Sequence, residues 1–211
     1  MAKLITMAAK EGGPDPMTNA KLRLAISNAK AENLPKDNID AAIKRAAAKD
    51  AQDIVEVNYE GKGPHGVLVF VECATDNSNR SVTNVKTYFN KNGGQMVPSG
   101  SLEFLFSRKT AVEFQLIPGM DLEEIELALI DGGLEELEVE DDLVTAYADY
   151  ASFSTLTQAF EQLGIEVKKA ELRRIASNPV ELTEEQLEEV EKLIDKIEDD
   201  DDVQAVYTNI A

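Results

Sequence analysis

Apolar residues along this chain keep helical spacing at first, switch to alternation, and then mix the two. Lys3 to Glu11 carries one apolar face and stops at Gly12-Gly13-Pro14-Asp15-Pro16, a run that breaks a helix. Leu22, Ile26 and Ala29 fall at i, i+4 and i+7, which predicts a helix from Asn19 to Glu32. After Asn33-Leu34-Pro35, the residues Ile39, Ala42, Ile43 and Ala46 mark a third buried stripe. Pro35 suits the first turn of that helix, and Asp37 suits the positive end of its dipole. Residues 46–53 read as an exit linker.

The period then changes. Ile54 to Tyr59 alternates as a strand does, and residues 61–66 form a turn rich in glycine. Val67 to Val71 is apolar on both faces, so it belongs at the centre of a sheet. Residues 74–80 make a polar loop of capping side chains ahead of a helix whose buried face is Val82, Val85 and Phe89. Asn92-Gly93-Gly94 ends that helix. Ser101–Phe106 and Ala111–Leu116 alternate on either side of 107–110, which predicts a hairpin. Beyond Pro118-Gly119, Leu122, Ile125 and Leu129 mark a helix, and Leu134–Val139 and Leu143–Ala148 are strands joined at Asp141-Asp142. Phe153, Leu156, Phe160 and Leu163 give another helix, stopped by Gly164, and Ile165–Ile175 a strand. Thr183 to Gln186 is a capping box for a helix lined by Leu187, Val190, Ile194 and Ile197, and Val203–Ile210 is the last strand.

These elements predict an α+β chain. The middle block lacks the last helix and strand of a split βαβ sandwich of the ferredoxin-like type, and the C-terminal segment supplies one of each. The expected division is a helical domain at 1–52, a middle α/β domain at 53–117 plus 182–211, and an inserted acidic α/β domain at 118–181. A continuous domain over 118–211 is the competing arrangement.

Charge sharpens this division. Residues 1–50 carry nine Lys/Arg against six Asp/Glu, residues 51–110 carry six of each, and residues 111–211 carry six against twenty-eight. A polyanion can approach such a molecule only from its basic end, and a basic protein could meet the acidic end. No apolar run is long enough for a membrane span. MAKLITMAAKEGG is too short and polar for a signal peptide. The lone Cys73 fits a reducing, cytoplasmic setting. One His and one Cys cannot build a zinc site, and neither an EF-hand nor HExxH nor GxSxG spacing appears, so the sequence predicts no metal, no cofactor and no enzyme.

Candidate chemistry is therefore phosphate contact. Arg23 and Lys30 lie seven apart on one helical face; Lys3, Lys10, Lys21, Lys36, Lys44 and Arg45 add charge to the same block. In the 75–80 loop, Asn77, Asn79 and Arg80 sit at a helix start, where backbone N–H groups receive anions. The bland reading gives the same residues to helix capping and ordinary solvated lysines. The Asp199–Asp202 run reads as a solvated helix end.

Three stretches carry a resemblance: KEGGPDPMTNAKLRLAISNAKAENLPKDNIDAAIKRA at 10–46, NYEGKGPHGVLVFVECATDNSNRSVTNVKTYFNKNGGQMVPSGSLEFLFSRK at 58–109, and VELTEEQLEEVEKLIDKIEDDDDVQAVYTNI near the C-terminus. The chain resembles the YebC family across nearly its whole length. The resemblance implies a three-domain, cytoplasmic protein without catalytic residues, which regulates gene expression by binding DNA or, as a translation factor, ribosomal RNA on the ribosome. A small-molecule-sensing α/β module is the alternative from another class. Family members usually begin with about thirty further residues rich in Lys and Arg, so this chain is expected to bind nucleic acid less strongly than they do. Where they carry Gly-Thr-Gly after the third helix, this chain has Ala46-Ala47-Ala48, which predicts a longer helix and a stiffer hinge.

Overall fold

A computed structural model describes residues 1–48 and 53–211. The chain divides into two compact units, one made of Met1–Ala47 with Arg108–Arg173, the other of Ala48–Ser107 with Arg174–Ala211. The fold is α+β, with a helical N-terminal region and two four-stranded sheets.

The first unit opens with three helices, α1 (Ala2–Gly12), α2 (Ala20–Ala31) and α3 (Lys36–Ala46). Their apolar stripes meet in a small core of Ile5, Ala8, Ala9, Leu22, Ala29, Ile39 and Ala42. Such a core is thin, and polar ties reinforce it. The Thr6 hydroxyl donates to the Ala42 carbonyl at 3.0 Å, joining α1 to α3. Asn19 is buried: its amide donates to the Ala8 and Gly13 carbonyls at 2.8 and 2.9 Å, and its oxygen caps α2 by accepting from the Leu22 N–H at 3.0 Å. A Cβ on Gly12 would stand 2.7 Å from that amide, so glycine is required there. Helix α3 ends at Ala46, with Ala47 as its C-cap, so the three alanines do not lengthen it as expected. Alanine propensity alone does not extend a helix beyond its packed stripe. The expected linker at 46–53 includes residues 49–52, which lie outside the described residues.

The rest of this unit is a split βαβ sandwich. Strand β4 (Phe106–Gln115) begins before the unit boundary; then come α5 (Leu122–Ile130), β5 (Leu134–Glu140), β6 (Leu143–Asp149), α6 (Phe153–Leu163) and β7 (Val167–Ala176). The sheet order is β5-β6-β4-β7. Val112, Phe114, Val144, Ala146 and Ala148 pack under Ile125, Leu129, Leu156 and Phe160, so both helices cover one face. The expected hairpin at 107–110 is absent, because β4 is one continuous strand. Lys109 and Thr110 pair in register with Asp149 and Ala148 of β6. Polar side chains are tolerated there because they find partners: Lys109 reaches Glu135 at 2.5 Å, and the Arg108 guanidinium lies 4.6 Å from the Tyr150 ring centroid. The bounds of β5, β6 and α6 agree with the apolar pattern to within a residue or two, and Gly164 stops α6 at a φ of +67°.

In the second unit β1 (Val55–Lys62), β2 (Leu68–Thr75), α4 (Ser78–Lys91) and β3 (Gln95–Val97) are followed, after the other unit, by α7 (Glu184–Glu198) and β8 (Val203–Thr208). The sheet order is β3-β1-β2-β8. Val69, Val71 and Cys73 of β2 face Val85 and Phe89 of α4 and Val190, Leu193 and Ile197 of α7. The other side of β2 places Phe70 against Leu102 and Phe106. Strand β2 is therefore buried on both sides, as its unbroken apolar run predicts. Strand β3 escaped the sequence reading: three residues are too few to show a period.

Candidate nucleic-acid interface

Three faces of α2 fix what its charges can do. Leu22 and Ala29 enter the helical core. Leu24 reaches the core beneath the β5-β6-β4-β7 sheet, and the Asn28 amide donates to the Ala170 carbonyl of β7 at 2.8 Å. Arg23, Ser27 and Lys30 are left facing outward. Arg23 donates to the Pro16 carbonyl at 3.3 Å, which holds its guanidinium near the 12–16 turn. Lys30, Lys36, Lys44 and Arg45 are exposed and make no ion pair among the described residues. Lys21 is paired with Glu11 at 2.7 Å. Lys10 is exposed and Lys3 half-buried, and each has interactions of its own. The outward cations thus come from α2 and α3, while the acidic residues Asp37 and Asp40 share the surface of α3.

The 75–80 loop has a different character. Asn77 is spent on capping α4, its side chain accepting from the Arg80 N–H at 3.1 Å. Asn79 stands exposed in the first turn, and its carbonyl accepts from Thr83 at 2.7 Å. The anion at this helix start is internal. The Asp202 carboxylate, 1% exposed, accepts from the hydroxyls of Thr75 at 3.0 Å and Ser81 at 2.8 Å. Arg80 closes on the same carboxylate, its Nη2 at 2.7 and 2.8 Å from the two oxygens and its Nε at 3.1 Å from one, and also meets Asp76 at 2.9 Å. The bonds to Asp202, then those to Asp76, hold the guanidinium above its ordinary pKa. Asp202 is therefore not a solvated helix end, and neither is Asp200, which accepts from Asn84 at 2.8 Å and from the Tyr88 hydroxyl at 3.0 Å. No local spacing could have signalled this network, because its partners lie more than a hundred residues apart.

The remaining chemistry is sparse. His65 pairs with Glu189 of α7 at 2.8 Å, and Cys73 lies in the core. Among the described residues no group of three or more His, Cys, Asp or Glu could hold a metal ion. No helix among them is long and apolar enough to cross a membrane. An open groove of about 490 Å³ is lined by Asn92, Lys192, Asp195, Lys196, Glu198 and Asp199. Its lining residues are all polar or charged, unlike the hydrophobic and aromatic residues that mostly line small-ligand sites.

Comparison with known proteins agrees along the whole chain. Residues 1–49 match the family described as the TACO1/YebC protein N-terminal domain, and residues 54–210 match the TACO1/YebC second and third domain. A probable transcriptional regulatory protein of Wolinella succinogenes is 63% identical over 212 residues, covering all of this chain and 90% of that one. One of Campylobacter curvus is 60% identical over 210 residues, covering all of this chain and 89% of that one. The crystal structure of a conserved hypothetical protein from Aquifex aeolicus is 33% identical, covers all of this chain and 87% of its own, and superposes with a TM-score of 0.84. Family models, close relatives and a solved fold agree over the length of the chain, and this chain belongs to the TACO1/YebC family.

Proposed function

We propose that this protein is a nucleic-acid-associated regulator of gene expression whose helical head contacts phosphate. One observation carries the reading: Arg23, Lys30, Lys36, Lys44 and Arg45 stand exposed on two adjacent helices without an ion pair among the described residues. Each phosphate neutralised by such a cation releases counterions and adds affinity that salt removes. The names of the relatives support a transcriptional regulator, and in the first reading the nucleic acid is DNA. In this reading the protein is cytoplasmic, has no catalytic role and keeps three parts, the inserted one starting with β4 rather than at residue 118, because β4 lies between β6 and β7 and not in the middle sheet. Arg80 contributes little, because two carboxylates already neutralise it. A basic protein is the partner of the acidic part.

A second reading, a translation factor bound to ribosomal RNA on the ribosome, is favoured by one feature of the first unit. The cationic helices share that unit with residues 108–173, which carry sixteen Asp/Glu against five Lys/Arg. A long duplex would bring phosphates near those acids, whereas a surface of mixed RNA and basic protein accommodates both charges.

Two measurements separate the readings: co-sedimentation with ribosomes, and fluorescence anisotropy on duplex DNA at two salt concentrations. Duplex binding that weakens with salt supports the transcriptional reading, and co-sedimentation supports the translational one. Binding to neither removes the proposal.

A further inference from the structure

We infer that the free edge of β5 is a docking strand for an extended protein segment that alternates basic and apolar residues. The inference rests on the part of the reading above that gives the acidic block a basic partner. It does not depend on nucleic-acid binding.

The two edges of the β5-β6-β4-β7 sheet are treated differently. At the β7 edge Asn28 acts as a surrogate strand residue, donating to the Ala170 carbonyl at 2.8 Å and accepting from the Ala170 N–H at 3.3 Å. Strand β5 pairs with β6 on one side, and among the described residues no strand pairs with its other side. An unpaired edge is a template for another strand unless something blunts it.

The side chains of β5 select what could pair there. Register places Glu136 opposite Tyr147, Glu138 opposite Thr145 and Glu140 opposite Leu143, so three exposed glutamates form a row. They lie on the face away from α5 and α6, because Leu137 between them enters the core with those helices. Glu113 of β4, opposite Thr145, is already paired with Arg173 at 2.6 Å, so the free charge lies on the β5 row itself. The other face of the edge is apolar. Val139 is 48% exposed, and α5, which packs on β5, shows Leu127 at 68% and Ile130 at 53% exposure.

A strand added beside β5 would gain main-chain hydrogen bonds and send alternate side chains to the two faces. One set would lie beside Glu136, Glu138 and Glu140, and the other beside Val139 and the apolar surface of α5. Charge complementarity makes the first set Lys or Arg, and burial makes the second set apolar. The β5 strand of a second copy would bring glutamate against glutamate, a destabilising arrangement. A nucleic acid would be repelled by the same row.

The test uses the full chain and three synthetic peptides: alternating Lys and Val, alternating Glu and Val, and a Lys block followed by a Val block. Expected are saturable binding of the first alone, weakening at higher salt, and slowed amide exchange confined to 134–140 and its neighbours. The triple variant Glu136→Lys, Glu138→Lys, Glu140→Lys, with its fold checked by circular dichroism, should bind that peptide at least ten-fold less tightly. Absence of saturable binding, equal binding of either control peptide, or exchange slowed elsewhere would overturn the inference and leave the glutamates as a guard against aggregation. Nucleic-acid binding, measured in parallel, should survive the triple substitution. If the unaltered chain binds no nucleic acid yet takes up the peptide, the regulatory reading fails and the docking strand stands.

Discussion

Asp202 shows how much one side chain can decide. It carries a charge into a site 1% exposed, and the cost of removing it from water is offset by two hydroxyls and a guanidinium. Asp202→Asn keeps the shape but removes the charge and turns one acceptor oxygen into a donor facing Arg80. Urea unfolding should show a loss of about 2 kcal/mol, seen as a lower midpoint at unchanged slope. The same residue explains why Arg80 is a poor phosphate contact, so Arg80→Gln should change nucleic-acid affinity less than a charge change at Arg23 or Lys30. Tyr147 offers a pH test. Burial, then its 2.9 Å hydrogen bond to Glu138, raises the phenol above its ordinary value near 10. The folded state therefore favours the protonated phenol more than the unfolded chain does. That contribution is complete below pH 10 and is lost as pH climbs through the raised value. Tyrosinate absorbance should show a late-ionising phenol that disappears in Tyr147→Phe, and the variant should lose less stability on the alkaline side than the parent.

Helices with strong caps and clear stripes are legible in the sequence, and α7 is the clearest. Thr183 and Gln186 complete the capping box, with Val190, Leu193 and Ile197 buried below. Thr183→Ala should cost about 1 kcal/mol, and hydrogen exchange should quicken first at the start of α7. Strands with unbroken apolar runs, such as β2, were equally readable. Strand β4 was not, because Ser107-Arg108-Lys109-Thr110 has the composition of a turn, and its place between β6 and β7 keeps it extended. Tertiary pairing overrides local preference in strands more readily than in helices. The outward cations of α2 were visible from spacing alone. The commitment of Arg80 to Asp202 was not, because it depends on where a distant segment returns. Asn28 belongs with these long-range effects: it lies in a helix yet satisfies a strand. Asn28→Ala should leave the Ala170 N–H and carbonyl without their side-chain partner, and the Ala170 amide should then exchange markedly faster while the core amides of α5 and α6 keep their protection.

Across the whole chain, charge is arranged by position along the sequence more than by compact unit. The first unit joins the cationic helices to the strongly acidic 108–173 segment, so its long-range field opposes the approach of a polyanion to the cations of α2 and α3. Under the proposed function, binding rests on short-range contacts made by a few cations, and screening acts on two opposed terms. Salt weakens each cation–phosphate contact and also relieves repulsion from the acidic segment. The measured salt dependence should accordingly be shallower than the slope of roughly −0.9 per phosphate expected for a uniformly basic surface with the same number of contacts. Arg23→Glu with Lys30→Glu tests which term dominates. Both side chains are exposed on the outward face of α2, so the midpoint of unfolding should move little, while affinity for nucleic acid should fall at least ten-fold and the salt slope flatten further. Unchanged affinity in the folded double variant would move the interface off the helical head.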